Sequence, residues 1–356
     1  MNIEKNTLFS ETPIKIGEDS GYDNIIMALE SSCDETACAI VKNGREVLAN
    51  VVASQIKTHA QYGGVIPEIA AREHLEAVNV IIEEALSQAN LKPEDITAFA
   101  GTVGPGLVGA LLVGLNATKT LALVYDKPFI GINHLHAHVA ANYIDTDLKP
   151  PFIALLVSGG HTQIIEVKSH KEQTIIGETI DDAVGEAYDK VARLIGLPYP
   201  GGPLLDKLAR SGNPHAYKLP EAKVGEYEFS LSGLKTAVLR LTQKVKQENN
   251  LETLEQDNPL TLDICASFQE TVSSTLLKKV KKVLDEKGYK QVVLAGGVAA
   301  NSEIRKKFFD LEKEGYKVNA PQMKYCTDNA AMVAACAYFS QNTFDDINVE
   351  VFSRCK

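Results

Sequence analysis

The chain has 356 residues, of which 45% are hydrophobic, so it is long and apolar enough to bury the cores of two domains. Its formal net charge of −10 at pH 7 argues against a protein that holds nucleic acid by bulk positive charge. The six cysteines include no Cys-x-x-Cys pair, which favours free thiols in a reducing compartment over a disulfide or zinc framework.

Residues 1–24 mix charged and polar side chains, and they are predicted to form a poorly ordered extension rather than a signal or transit peptide. No later segment offers the roughly 18 consecutive apolar residues of a membrane span. We therefore expect a soluble, cytoplasmic protein without a membrane partner.

Residues 25–150 are predicted to form an N-terminal α/β lobe. In chain order it comprises strands at 25–29, 37–41 and 47–52, a helix at 67–90, a strand at 96–100, a glycine-rich turn at 101–109, an apolar helix up to residue 124 and a strand at 129–132. Asn43-Gly44 marks the hairpin turn between the second and third strands. Asp34 and Glu35 lie in the polar loop after the first strand.

Three of the eight histidines follow the last of these strands, in the sequence Asn133-His134-Leu135-His136-Ala137-His138. The small residues after them predict a helix, on which His134 and His138 share one face while His136 points elsewhere. Two imidazoles on one helix face can bind a single metal ion. The alternative is a helix N-terminus with hydrogen-bonded histidines and no ion. A metal site would need a third ligand from elsewhere in the chain.

Residues 151–356 are predicted to form a second α/β lobe with a helical insertion at about 180–285. Its elements are strands at 152–157 and 163–167 around a polar turn, a helical region broken by prolines near 198–203, a strand at 291–294, a glycine turn at 295–297 and a helix from residue 301. Both lobes begin with strand, polar turn and strand, and both later place a glycine turn between strand and helix. This weak internal repeat predicts two similar lobes with a ligand cleft near residue 150.

Glycine turns between strand and helix suit phosphate binding, because backbone N–H groups can approach an anion there. The candidates are Gly104-Pro105-Gly106, Ser158-Gly159-Gly160, Gly201-Gly202 and Gly296-Gly297, and none is a Walker loop or a dinucleotide fingerprint. One such turn alone is better explained as a tight connection. Four of them, at corresponding places in two lobes, favour a nucleotide held by hairpin loops.

Several aspartates are candidates for this chemistry. Asp189 and Asp206 lie near the Gly201-Gly202 turn and are candidates for a sugar-hydroxyl or phosphate-metal role, whereas Asp181 and Asp182 are attributed to N-caps and solvated helix faces. Asp328 precedes a run of small apolar residues at 330–337, so it is a candidate N-cap. It is also the best candidate for the third metal ligand. Two histidines and a carboxylate would leave positions open for substrate, as in catalytic sites.

Basic residues concentrate at 278–282, 287, 290 and 305–307. Because apolar residues alternate with them, the pattern favours the solvated face of an amphipathic helix over an RNA-binding patch.

Nine ordered stretches together resemble one known family, the bacterial-type tRNA N6-adenosine threonylcarbamoyltransferases. They are ESSCDET at 30–36, YGGVIPE at 62–68, GPGLVG at 104–109, NHL at 133–135, LVSGGHT at 156–162, YPGGP at 199–203, FS with SGLKT at 229–236, AGGV at 295–298 and CTDN at 326–329. The resemblance runs from about residue 25 to residue 352. It implies the two-lobed α/β fold of the actin, Hsp70 and sugar-kinase group.

The resemblance also implies an activity and site residues. Family members transfer threonylcarbamoyl from threonylcarbamoyl-AMP to N6 of the adenosine 3′ of the anticodon, in tRNAs that read ANN codons. His134, His138 and Asp328 fall on the metal positions, which take Fe2+ or Zn2+, and Asp34 and Glu35 fall on an acidic pair beside the site. The adenylate-binding positions are Leu156, Val157, Ser158, Gly159, Gly160, Asp189, Gly202, Asp206 and Asn301.

The implied partners are a paralogous subunit of the same fold and a small P-loop ATPase, while a separate synthase makes the adenylate. One departure is His136, where many relatives carry Glu, so this residue either tunes the site or faces outward. Three alternatives to the transferase are a metallopeptidase, a non-catalytic scaffold subunit, and a sugar kinase or chaperone-type ATPase. The chain lacks the Glu of a His-Glu-x-x-His motif, which argues against the peptidase.

Overall fold

The structure is a computed structural model that describes residues 14–341 and 343–354. Of the predicted extension at 1–24, residues 1–13 lie outside the described residues. Within the remainder, Ile16 and Asn24 are buried, and the side-chain oxygen of Asn24 accepts a hydrogen bond from Gly17 N at 2.9 Å.

The described residues divide into two compact units. Unit 1 contains those up to His59, Val65–Leu148 and those from Asp328 onward, and unit 2 contains Ala60–Gly64 and Lys149–Thr327. No helix among the described residues is both long and apolar enough to cross a membrane.

Unit 1 is built on a five-stranded sheet with helices packed on it. Its main elements are β1 Ile25–Glu30, β2 Glu35–Lys42, β3 Glu46–Ser54, α1 Ile56–Ala60, α2 Pro67–Ala89, β4 Ala98–Gly104, α3 Val108–Val124, β5 Phe129–Asn133, α4 His134–Ala140 and, from the end of the chain, α10 Ala330–Phe339. The strand order is β3-β2-β1-β4-β5, with β1–β2 and β2–β3 antiparallel and β1–β4 and β4–β5 parallel.

Unit 2 contains a sheet of the same topology. Its main elements are β6 Phe152–Val157, β7 Thr162–Val167, β8 Gln173–Glu178, α5 Val184–Leu194, α6 Gly201–Ala209, α7 Ser232–Glu248, α8 Pro259–Lys287, β9 Gln291–Ala295, α9 Ser302–Phe309 and β10 Lys317–Asn319. The strand order is β8-β7-β6-β9-β10, with β6–β7 and β7–β8 antiparallel and β6–β9 and β9–β10 parallel. The predicted α/β class and internal repeat are therefore confirmed.

Helix α10 explains how a distant segment reaches the histidines. Nearly all of its side chains are buried, as expected for a helix that is apolar on every side. It packs against α4 and against β1 and β2, where Ala28, Ala37 and Ala39 leave room for close approach. The ring of Phe339 also contacts Tyr143, just beyond α4, with centroids 4.6 Å apart. Burial of such large side chains contributes about 1.5–3 kcal/mol each.

Two features differ from the predicted elements. Strand β4 extends to Gly104, so Gly101 lies within the strand and not in the turn. A Cβ at Gly101 would lie 2.8 Å from Thr118 Oγ1, so this glycine lets α3 approach the sheet. Strands β8 and β10 were not predicted. Both lie at edges of their sheet, and β8 is half-exposed, which weakens the apolar pattern that predicts a strand.

Asp181 caps α7, although it lies about 50 residues before that helix. Its two carboxylate oxygens accept hydrogen bonds from Leu231 N at 2.8 Å, from Ser230 Oγ at 2.5 Å and from Ser232 Oγ at 2.9 Å. Desolvation raises the pKa of Asp181, but these hydrogen bonds outweigh it and hold the pKa below its usual range. The ionised carboxylate therefore stabilises the start of α7.

We expect Asp181→Ala to lower the free energy of unfolding by about 1 kcal/mol at pH 7, the usual loss for an N-cap. A depressed pKa contributes stability above the unfolded-state value of about 3.9 and loses it as the pH falls below that value. The difference between the variant and the parent should therefore shrink below about pH 4 in denaturant titrations. Asp182→Ala, which removes a partner of Lys190, is the matched control and should cost less. A difference that is constant from pH 7 to pH 3 would contradict the capping role.

Candidate metal centre and nucleotide cavity

His134, His138 and Asp328 come together in unit 1. The two imidazole rings lie 4.6 Å apart at an angle of 76°. Their Nε2 atoms lie 3.7 Å (His134) and 3.2 Å (His138) from Oδ1 of Asp328. One donor atom from each residue lies within 4.8 Å of the other two, so a single ion can contact all three.

Local capping places these three side chains. Asn133 caps α4 by accepting hydrogen bonds from Leu135 N and His136 N, so the helix begins at His134. At the start of α10 the cap is Asn329, whose side-chain oxygen accepts from Met332 N at 3.1 Å. Asp328 is therefore not the N-cap, and its carboxylate faces the histidines.

The buried polar atoms fit a metal ion. His138 is 1% exposed, and neither of its ring nitrogens makes a well-formed hydrogen bond to another described residue. Two imidazoles and a carboxylate are donors that suit Zn2+ and Fe2+. A buried imidazole nitrogen without a hydrogen bond is costly, and coordination to an ion would remove that cost.

The electrostatics of the cluster also favour a cation. Burial raises the pKa of Asp328, but His134 and His138 outweigh it and lower the pKa to about 2. Burial lowers the pKa of His134, but the carboxylates of Glu30 and Asp328 outweigh it and raise the pKa to about 9. The carboxylates of Glu30 and Asp328 thus favour positive charge at the two imidazoles, and a divalent cation could supply it.

Glu35 is the first residue of β2, and Asp34 directly precedes it. Burial raises the pKa of Glu35 to about 9, and the negative charges of Asp328 and Asp34 add to that shift. Glu35 Oε1 also accepts a hydrogen bond from Ser54 Oγ at 3.2 Å. Glu35 is therefore close enough to Asp328 for their charges to interact. His136, by contrast, is exposed on α4 and is not part of the cluster.

A buried histidine, His74 of α2, holds the loop that carries Asp34. Its Nε2 lies 3.0 Å from the carbonyl oxygen of Cys33, which can only accept, so Nε2 bears the hydrogen. Its Nδ1 therefore accepts from Thr36 Oγ1 at 2.7 Å. The sequence prediction missed this support, because it links residues about 40 positions apart.

Unit 2 contains a cavity of about 430 Å³, a volume typical of small-molecule sites. It brings together five of the predicted adenylate residues, namely Gly159, Asp189, Gly202, Asp206 and Asn301, together with Tyr188, Arg210, Gly297 and others. Leu156 and Val157 are buried within β6, and Ser158 and Gly160 lie in the turn that follows it.

The polar residues of this cavity also form hydrogen bonds that hold the backbone around it. Asp189 Oδ1 accepts from Gly201 N and Gly202 N, both at 2.9 Å, and so shapes the turn that starts α6. Burial raises the pKa of Asp189, although these two hydrogen bonds oppose the shift. Asp206 accepts from Ser302 N at 3.1 Å and pairs with Arg210 at 2.7 Å.

Asn301 joins two elements of the cavity wall. Its side-chain oxygen caps α9, and its amide group donates to Gln269 Oε1 at 2.9 Å and faces Tyr188 OH at 3.3 Å. Gln269 and Tyr188 were not predicted as site residues, because nothing in their local sequence distinguishes them from the rest of an amphipathic helix.

The lysine-rich face of α8 is paired with acidic groups. Ion pairs join Lys278 to Glu221 at 2.9 Å, Lys282 to Glu226 at 2.5 Å, and Lys287 to Glu166 at 3.2 Å. These pairs agree with the predicted solvated face of an amphipathic helix.

Known proteins and a family model match most of this chain. A family model named TsaD and described as tRNA N6-adenosine threonylcarbamoyltransferase matches residues 46–335. A protein of that name from Clostridioides difficile is 48% identical over 322 residues, which cover 89% of this chain and 93% of the relative. A second, from Gloeothece citriformis, is 49% identical over 343 residues, which cover 92% of this chain and 96% of the relative.

Solved structures with low sequence identity show the fold alone. Full-length HypF in its phosphate- and nucleotide-bound form matches with a TM-score of 0.60 and 16% identity, over 92% of this chain and 48% of HypF. The chain thus spans about half the length of HypF. Component A of (R)-2-hydroxyglutaryl-CoA dehydratase from Acidaminococcus fermentans matches with a TM-score of 0.50 and 17% identity, over 89% of this chain and 98% of that one. Both matches agree with the predicted two-lobed α/β fold of the actin, Hsp70 and sugar-kinase group.

Proposed function

The chain belongs to the tRNA N6-adenosine threonylcarbamoyltransferase family, and from that premise we propose the reaction that it catalyses. It transfers the threonylcarbamoyl group of threonylcarbamoyl-AMP to N6 of the adenosine 3′ of the anticodon, in tRNAs that read ANN codons. The adenine amine attacks the carbamoyl carbonyl, a C–N bond forms, and AMP leaves with its phosphate oxygen. The observation that carries the proposal is the family match, which extends over most of the chain.

The unit 2 cavity is the proposed site for the AMP part of the substrate. Gly159 and Gly297 line it, and a Cβ added to either would meet no heavy atom within 4 Å, so bare backbone faces open space. Backbone of this kind can approach a phosphate or a sugar closely. Asp189, Asp206 and Asn301 keep the surrounding turns in place, and Gly159 lines the cavity as part of the proposed run from Leu156 to Gly160.

His134, His138 and Asp328 are the proposed ligands of one Fe2+ or Zn2+ ion. Such an ion, when bound, acts as a Lewis acid toward the carbamoyl carbonyl. Asp34 and Glu35 are proposed to position the adenine amine and to handle its proton. A protonated Glu35 donates a hydrogen bond, whereas an ionised carboxylate of the pair can accept the proton.

The proposed protein partners are those of the family, and the negative net charge of the chain supports their involvement. We propose that the chain acts in the cytoplasm with a paralogous subunit of the same fold and a small P-loop ATPase. A chain with a net charge of −10 gains little from bulk attraction to tRNA, so a composite docking surface with these partners would ease binding.

The proposal is tested by incubating the chain and its partners with threonylcarbamoyl-AMP and unmodified tRNA, followed by nucleoside mass spectrometry. Threonylcarbamoyladenosine should form only when both substrates are present. Cleavage of peptides by the zinc-loaded chain would favour the metallopeptidase. ATP turnover by the chain without tRNA would favour the kinase or chaperone-type ATPase, and no activity at all would favour the scaffold.

Removal of the metal ion is expected to abolish transfer, because Lewis-acid stabilisation is worth several kcal/mol, or at least about 10³-fold in rate. The measurement compares chelator-treated protein before and after addition of Fe2+ or Zn2+. Activity should return with one equivalent of ion per chain. Full activity in metal-stripped protein would contradict the metal centre but not the family assignment.

A further inference from the structure

Glu30 is a buried acid with no role in the chemistry described above. It ends β1 directly beside the metal ligands, and its side chain is fully buried. Its Oε1 accepts from Ser32 N at 2.6 Å, and its Oε2 accepts from Thr102 Oγ1 at 2.6 Å. Oε2 also lies 3.1 Å from Nδ1 of His134. Because a buried carboxylate is costly unless it is hydrogen-bonded, three donors converging on it explain why it is tolerated.

We infer that Glu30 is a positioning residue that sets the tautomer of His134 and leaves its Nε2 free to bind the ion. The inference rests on the metal centre of the proposed function. An ionised carboxylate only accepts hydrogen bonds, so the Nδ1 that faces it must bear a hydrogen. Whenever the ring is neutral, the lone pair then lies on Nε2, the atom that faces Asp328. Histidine ligands commonly depend on such a carboxylate behind the ring.

Ser32 does not determine the tautomer of His134. Its Oγ lies 3.2 Å from the same Nδ1, but a hydroxyl group can donate or accept and therefore supports either tautomer. Thr102 does not determine the tautomer either, because it contacts Glu30 and not the imidazole ring. Among these neighbours, the carboxylate of Glu30 is the group that distinguishes the two tautomers.

The substitution Glu30→Gln reverses the tautomer preference of His134, and it does so with a side chain of almost the same size. Ser32 N–H is a donor, so it holds the amide oxygen of the new side chain at the Oε1 position. The NH2 group then points at Thr102 and at Nδ1 of His134. It donates to Nδ1, the hydrogen of the neutral ring moves to Nε2, and the lone pair toward the ion is lost.

The experiment is a titration of the full-length, metal-free protein with Zn2+ in competition with a chromophoric chelator. We expect the parent protein to bind one ion, and Glu30→Gln to bind it about 10- to 100-fold more weakly, the usual cost of losing such a partner. Thr102→Val keeps the carboxylate and its contact with His134, so its affinity should stay within about threefold of the parent. Thermal unfolding of the metal-free variants checks that they fold.

The outcomes separate the inference from the proposed function. Equal affinity of Glu30→Gln and the parent would overturn the role of Glu30 and leave the metal centre standing. Failure of the parent to bind Zn2+ would overturn both. If Glu30→Gln does not fold, the zinc-loaded parent with ¹⁵N-labelled histidine decides the matter by NMR. A hydrogen on Nδ1 of His134 supports the inference, whereas a hydrogen on Nε2 contradicts it.

Discussion

Replacing His138 by Ala is expected to remove metal binding and to slow transfer to tRNA by at least about 10³-fold, while the protein still folds. The imidazole is buried, its ring nitrogens lack well-formed hydrogen bonds, and it lies 3.2 Å from Asp328, so it has no evident role other than as a ligand. Loss of one of the three proposed ligands would remove the several kcal/mol that a Lewis acid supplies. The measurement is the single-turnover rate, with bound metal counted on the same sample.

The matched control is His136→Ala, on the same helix but exposed and outside the cluster. Its rate should stay within about twofold of the parent, and its metal content should not change. A His138→Ala protein with normal metal content and rate would show that the cluster is an ordinary hydrogen-bonded helix end. An equal loss in both variants would indicate damage to α4 and not loss of a ligand.

The second large effect is expected from Gly159→Val, which should raise the KM for threonylcarbamoyl-AMP by about 10- to 100-fold, equivalent to about 1.4–2.7 kcal/mol of binding. Gly159 lines the unit 2 cavity, and a Cβ there meets no protein atom within 4 Å. The added side chain would therefore occupy the space that we propose for the adenylate, and its Cβ would not clash with the protein. The KM is measured at saturating tRNA.

Gly233→Val is the control for this substitution. Gly233 is exposed at the start of α7, a Cβ there also meets no atom within 4 Å, and it does not line the cavity. Its KM should equal that of the parent, and both variants should unfold at the parent's temperature. An unchanged KM in Gly159→Val would place the adenylate elsewhere.

The cluster of His134, His138 and Asp328 shows what the sequence could and could not predict. Helical spacing alone put His134 and His138 on one face, because that depends only on local geometry. The contribution of Asp328 depends on α10 packing against α4, which brings together residues nearly 200 positions apart. The family resemblance named Asp328, whereas local reasoning also allowed an N-cap. The adjacent Asn329 takes that place in the structure.

The supporting residues were harder to predict. The position of Glu30 in the sequence indicates a buried polar contact, because a charged residue at the end of an otherwise apolar strand needs a partner. Its partners, Thr102 and His134, lie on or beside neighbouring strands and are visible only once the sheet order is known. Asp189 and Asp206 were predicted as ligand residues from their nearness to glycines. The structure adds that both hold backbone or side-chain groups of the cavity wall.

The most direct test of the central claim follows a labelled carbonyl in a single turnover. Threonylcarbamoyl-AMP labelled at the carbamoyl carbon is mixed with excess metal-loaded protein, its partners and unmodified tRNA, and labelled nucleoside and AMP are counted together. We predict one labelled threonylcarbamoyladenosine for each AMP released. Release of AMP with no label in the tRNA, by protein shown to contain its metal ion, would contradict the transfer reaction.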